Sequence, residues 1–135
     1  MTGPTVLPRG ALVQWRCLPF AALSADTLYR LLRLRSEVFV VEQACVFLDM
    51  DGLDPQCLHV LGEVVDVDGT IHLQASTRLV PPGVAFAEAS IGRVVTAPAA
   101  RGGGIGHALM ADALELGYAA TVADYNRCID EAFAA

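Results

Sequence analysis

The stretch that most constrains the fold runs from Ala89 to Gly117 and reads ASIGRVVTAPAARGGGIGHALMADALELG. Its first part, Ala89–Thr96, is rich in β-branched residues and closed by Pro98, which predicts a strand. Gly102, Gly103, Gly104 and Gly106 follow, and then Ile105, Ala108, Leu109, Ala113 and Leu116 recur at helical spacing. A strand, a glycine loop and a helix start together form a ready anion site. The first amides of a helix lack internal partners, the helix dipole favours negative charge, and missing side chains let a phosphate reach the backbone.

Spacing narrows the choice of ligand. A nucleotide-binding P-loop needs Gly-Lys-Ser or Gly-Lys-Thr at the helix start, where Gly106-His107-Ala108 stands instead. The dinucleotide fingerprint fails as well, because its third glycine falls on His107 or Leu109. What remains is Arg101-x-x-Gly104-x-Gly106 directly after a strand.

Composition removes other classes. The 135 residues suffice for one domain with a real core, and 54% hydrophobic against 18% charged residues describes a globular chain. Net charge is −6 and lysine is absent, which argues against nucleic acid, since phosphate neutralisation needs a basic face. No apolar run approaches the roughly 18 residues that span a bilayer, so no membrane partner is expected. The first residues lack the basic start and apolar block of a secretory leader, so a cytoplasmic location is expected. Cys17, Cys45, Cys57 and Cys128 form no C-x-x-C pair, and Cys57-x-His59 lacks further ligands, so neither a disulfide framework nor a metal is expected.

In chain order, residues 1–10 read as a loose lead-in and 11–135 as a single domain. Ala11–Leu18 reads as a first strand. Ser24 caps a helix that carries Leu28, Leu31, Leu32, Val38 and Phe39 inward and turns Arg30 and Arg33 away. That helix runs into Val40-Val41-Glu42-Gln43. The loop Cys45–Gln56 holds Asp49, Asp51 and Asp54, whose spacing does not match a calcium hand and which read as a solvated, turn-forming cluster. Leu58–Val65 and Ile71–Val80 read as a hairpin turned at Asp68-Gly69, with His72, Gln74, Ser76 and Arg78 on a wetter face.

Two separated segments then point the same way. Leu31–Gln43, reading LLRLRSEVFVVEQ, with Asp49-x-Asp51-Gly52 and His59 behind it, resembles the ElaA-type branch of the GNAT acetyltransferase superfamily. So do the Ile-Gly-Arg-Val strand and the Arg-x-x-Gly-x-Gly loop, over roughly residues 12–118. The resemblance implies an α/β (α+β) GNAT-like acyl-CoA N-acyltransferase fold with a mixed sheet. It implies acetyl-CoA as cosubstrate and acetyl transfer to a primary amine of a small molecule or peptide. The strand Arg93, Val94, Val95, Thr96 would bind the pantetheine arm of coenzyme A, and Arg101, Gly102, Gly103, Gly104, Ile105 and Gly106 would hold its pyrophosphate.

The helix and acidic loop are also similar to acyl-homoserine-lactone synthases, with Arg35-Ser36-Glu37-Val38-Phe39 and the three aspartates as counterparts. The glycine loop favours the acetyltransferase branch. GNAT domains continue past this helix with further strands and a helix often bearing a tyrosine, where only Tyr118–Ala135 stands here. Cys128-Ile129-Asp130 could begin a fifth strand, or Tyr118, Val122, Tyr125, Ile129 and Phe133 could form a terminal helix. The expectation is thus a C-terminally shortened domain, incomplete after about 118, whose open sheet edge favours a homo-oligomer. A non-catalytic remnant that binds coenzyme A or a partner is the competing expectation.

Amine acetylation needs a proton acceptor and no metal. Glu42 is the first candidate, on the argument that it closes an apolar segment where burial raises a carboxylate pKa. His59, just after the acidic loop, is the second. Glu88, Tyr118 and Tyr125 are weaker candidates, and Cys57 has no activating base in view.

Overall fold

The computed structural model describes residues 12–119, with side chains through 115. Four strands, β1 (Gln14–Pro19), β2 (Leu58–Val65), β3 (Ile71–Val80) and β4 (Ser90–Thr96), pair antiparallel in the order β1-β2-β3-β4. Helix α1 (Ala25–Arg35) continues as a π-helical turn over Ser36–Glu42, and α2 (Ile105–Ala119) follows the glycine loop. The α/β class is as expected, and every described strand pair is antiparallel. The lead-in over residues 1–10 and the alternatives proposed past Ala119 lie outside the described residues.

Local chemistry sets the ends of these elements. Ser24 caps α1 by accepting a hydrogen bond from the Thr27 amide at 3.1 Å. The hairpin turns at Gly69, whose φ of +87° suits glycine, and the Asp68 carboxylate accepts from the Thr70 amide at 2.9 Å. Trp15 of β1 lies across Gly62 of β2, where an added Cβ would come within 2.7 Å of the indole. Glycine there is what lets the ring lie flat on the sheet.

The helices cover opposite faces of the sheet. Leu31, Leu34 and Val38 pack on Leu61, Leu73 and Val95, while Ile105, Leu109 and Ala113 of α2 pack on Leu58, Val60, Ala75 and Leu79. This corrects the expectation of a wet face on β3. Gln74, Ser76 and Arg78 are all buried, because α1 and the acidic loop lie over them. A one-residue shift in the β3–β4 register places Arg93 and Val94 opposite Thr77 alone, a bulge in which Arg93 takes φ +49°. The Thr77 hydroxyl donates to the Gly92 carbonyl at 2.7 Å beside it.

Candidate functional site

The glycine loop joins β4 to α2 through one turn at Pro98–Ala100. Gly102 and Gly104 take φ of +90° and +81°, conformations that cost an L side chain roughly 1–2 kcal/mol. An added Cβ at Gly102, Gly103 or Gly104 would meet nothing within 4 Å, so the space in front of the loop is open. Thr96, Arg101, Gly102, Gly104, Ile105, Gly106, His107 and Met110 line a depression of about 520 Å³ there. Gly106 at the start of α2 faces β4, its Cβ position 3.9 Å from the Thr96 methyl, an ordinary van der Waals distance. The first amides of α2 open toward this space without intrahelical partners. Backbone donors, an arginine and the absence of crowding side chains fit an anionic group such as a pyrophosphate.

Arg101 is held at the rim of the depression. Its guanidinium donates to both oxygens of Glu42, at 2.7 and 2.9 Å, and to the Thr96 carbonyl at 3.2 Å. Glu42 therefore sits beside the loop, yet its side chain is exposed rather than buried. The hydrogen bonds from Arg101 hold its carboxyl below the usual range, opposite to the rise expected from an apolar surrounding.

His59 occupies a different place. It is 1% exposed, its Nε2–H donates to the Asp54 carbonyl at 2.9 Å, and Nδ1 has no partner. Burial pushes its pKa below the ordinary histidine value. Packed beside Phe20 in the interior, it lines neither this depression nor the one described below.

The acidic loop is the largest departure from the sequence reading. Asp49 and Asp54 are buried, and with Asp51 they bind three arginines from three elements. Arg35, 1% exposed at the end of α1, donates to Asp49 at 2.9 Å and to both oxygens of Asp54 at 2.9 and 3.2 Å. Arg78 of β3 reaches Asp51 at 2.6 and 2.9 Å and Asp54 at 3.0 Å. Arg93, from the β4 bulge, lies 2.8 Å from Asp49 and 3.2 Å from Asp51, with its guanidinium carbon 5.1 Å from the centre of the Phe47 ring. Hydrogen bonds from Arg78 pull the Asp51 carboxyl down. Burial alone raises Asp54, and the hydrogen bonds and charges of Arg35 and Arg78 outweigh it, leaving its pKa lowered. The loop is an ion-paired insert, not a solvated cluster.

Before that insert, Val40, Ala44, Cys45, Val46, Phe47 and Leu48 line a second, largely apolar depression of about 650 Å³. Glu88 is exposed, and Cys57 is buried with its thiol pushed up to about 11 by burial, the unreactive state for a nucleophile. Among the described residues no helix is long and apolar enough to cross a membrane.

Comparison with known proteins agrees with this architecture. No family model matches the chain. A UPF0039 protein of Synechocystis is 40% identical over 103 residues, covering 76% of this chain and 64% of that protein. Protein ElaA of Escherichia coli is 38% identical over 106 residues, covering 77% and 66%. The chain thus spans 64–66% of the length of these curated relatives. The crystal structure of E. coli ElaA superposes with a TM-score of 0.69 at 37% identity, over 78% of this chain and 70% of that one. An acyl-CoA N-acyltransferase from Pseudomonas aeruginosa gives 0.68 at 43% identity, over 77% and 69%. With β4, the glycine loop and α2 placed in this arrangement, the chain belongs to the ElaA family and carries the GNAT-like acyl-CoA N-acyltransferase fold.

Proposed function

We propose that this chain binds acetyl-CoA in front of Arg101–Gly106 and serves transfer of the acetyl group to a primary amine. The observation that carries the reading is the open depression at the glycine loop, where Gly102–Gly104 put no side chain between solvent and backbone. Arg101 and the first amides of α2 would hold the pyrophosphate. The backbone of β4 from Arg93 to Thr96 would hydrogen-bond the pantetheine arm. In the reaction the amine nitrogen bonds to the thioester carbon, the carbon–sulfur bond breaks, and coenzyme A leaves as a thiolate. The nitrogen sheds a proton, and the thiolate takes one up. Glu42 is the exposed carboxylate nearest the loop and is the candidate proton acceptor. The reading also includes self-association, because β3 is the only strand paired with β4 among the described residues.

Calorimetric titration with acetyl-CoA tests the reading. The expected result is saturable binding that Gly104→Val weakens by about 2 kcal/mol or more, since valine is strained at φ +81° and fills the approach. Unchanged affinity in a folded Gly104→Val protein would remove the site. Acetylation of an amine panel separates an enzyme from a module that only binds coenzyme A, and sedimentation at several concentrations tests self-association.

A further inference from the structure

Arg101 has two suitors. It sits at the rim of the depression proposed to take phosphate, and its guanidinium is committed to Glu42 through two hydrogen bonds. A bidentate arginine–carboxylate pair presents the same planar fork that an arginine offers to a phosphate. The two partners also come from opposite sides of the site. Arg101 belongs to the glycine loop, whereas Glu42 ends the π-helical turn that leads into the acidic insert. That turn is itself an irregular stretch, closed by the Gln43 amide on the Val38 carbonyl at 2.9 Å and followed by Ala44 at φ +52°.

We propose that Glu42 is an internal stand-in for the donor phosphate, a latch on Arg101 that donor binding must open. This deepens the coenzyme reading and rests on it. When a pyrophosphate enters, Arg101 is drawn to it, and Glu42 is released from its counter-ion. Donor occupancy is thereby coupled to the freeing of a carboxylate. The pair is suited to exchange because both side chains are open to water, at 42% and 38% exposure, so opening it strands no buried charge.

The latch makes a prediction that a catalytic base alone does not. Removing the internal competitor tightens donor binding, because affinity is reduced by the fraction of molecules whose Arg101 is already occupied. The experiment is a double-mutant cycle with coenzyme A itself, measured by calorimetry on wild type, Glu42→Gln, Arg101→Gln and the double variant. Glu42→Gln is expected to bind about fivefold more tightly than wild type, the gain for a latch closed in about four molecules of five. In the Arg101→Gln background the same change is expected to have no effect. Equal or weaker binding by Glu42→Gln overturns the latch while leaving the coenzyme site intact. A gain that persists in the Arg101→Gln background also overturns it, since that outcome reports only the removal of a negative charge near a polyanion. Absence of binding in all four proteins removes the coenzyme reading and the latch with it. Both side chains are on the surface, so unchanged thermal unfolding of each variant confirms that folding is not the variable.

Discussion

Two sets of arginine–carboxylate pairs have similar hydrogen-bond lengths and opposite surroundings. Around Asp49, Asp51 and Asp54 the charges are mostly out of water, and Arg35 is 1% exposed. At Glu42 and Arg101 both partners face solvent. Distance therefore says little about what a pair does. In the buried set Arg35, Arg78, Asp49 and Asp54 have given up most of their hydration and depend on their partners, so the three aspartates fix the insert to α1, β3 and the β4 bulge. In the exposed pair water can replace either partner, so the contact can be traded for a ligand at small cost.

The strongest test of this contrast is to remove one buried cation. Arg35→Met should destabilise the fold by up to about 3–5 kcal/mol, because Asp49 and Asp54 each lose a buried partner and keep only Arg93 and Arg78 respectively. Denaturant unfolding measures it, and a loss below about 1 kcal/mol would mean the cluster is better hydrated than its burial indicates. A second test uses acid. Asp51 and Asp54 have lowered folded pKa values, so their stabilising contribution is present above the unfolded carboxylate range near about 4 and disappears as pH falls through the folded values. Arg78→Met removes hydrogen bonds from both, and its acid unfolding midpoint should shift to higher pH than that of wild type.

His59 yields a smaller effect in another window. Its folded pKa lies below the unfolded value of about 6.5, so the unfolded chain takes up a proton that the native state refuses, and stability declines as pH falls from about 6.5. His59→Gln should flatten the stability profile between about pH 7 and 5 while leaving the aspartate limb in place. An unchanged slope would show that the imidazole takes up its proton equally in the folded and the unfolded chain. The smallest effect belongs to the exposed pair. Arg101→Gln should leave the unfolding midpoint within experimental scatter, and a marked drop would make that contact structural rather than exchangeable.

The contrast also explains what could be read from the chain. Ser24, Asp68-Gly69 and the glycine loop act on neighbours a few residues away, and each took its expected role as cap, turn or helix entry. The hairpin strands Leu58–Val65 and Ile71–Val80 lie where alternation and turn chemistry put them. Partners for the aspartates lie 14 to 44 residues away along the chain, and no local period announces such a pairing. An acidic run reads as solvated unless the arginines that will meet it are known. Arg78 misled in the same way, since a polar alternation cannot reveal that α1 and a loop fold over it. Glu42 stands out in the sequence because it closes an apolar segment, but burial does not follow, because Val38–Val41 does not stay buried through the π-helical turn. Val41 is 78% exposed.

The extra residue in β4 sets the phase of everything after it. Ile91, before the bulge, packs toward α2, and by simple alternation Val95 would do the same. The inserted position reverses that parity: Val95 turns into the α1 core, while Thr96 faces Gly106 at the head of α2. The strand thus behaves as a two-state counter advanced by one. Loss of either Arg93 or Val94 would remove the bulge and leave Val95 and Thr96 on their present faces, whereas flattening the bulge with both residues kept would exchange them, pushing a threonine into the core and a valine toward the glycine loop. At this point in the chain, the bulge and not the alternation decides which side chain meets the glycine loop.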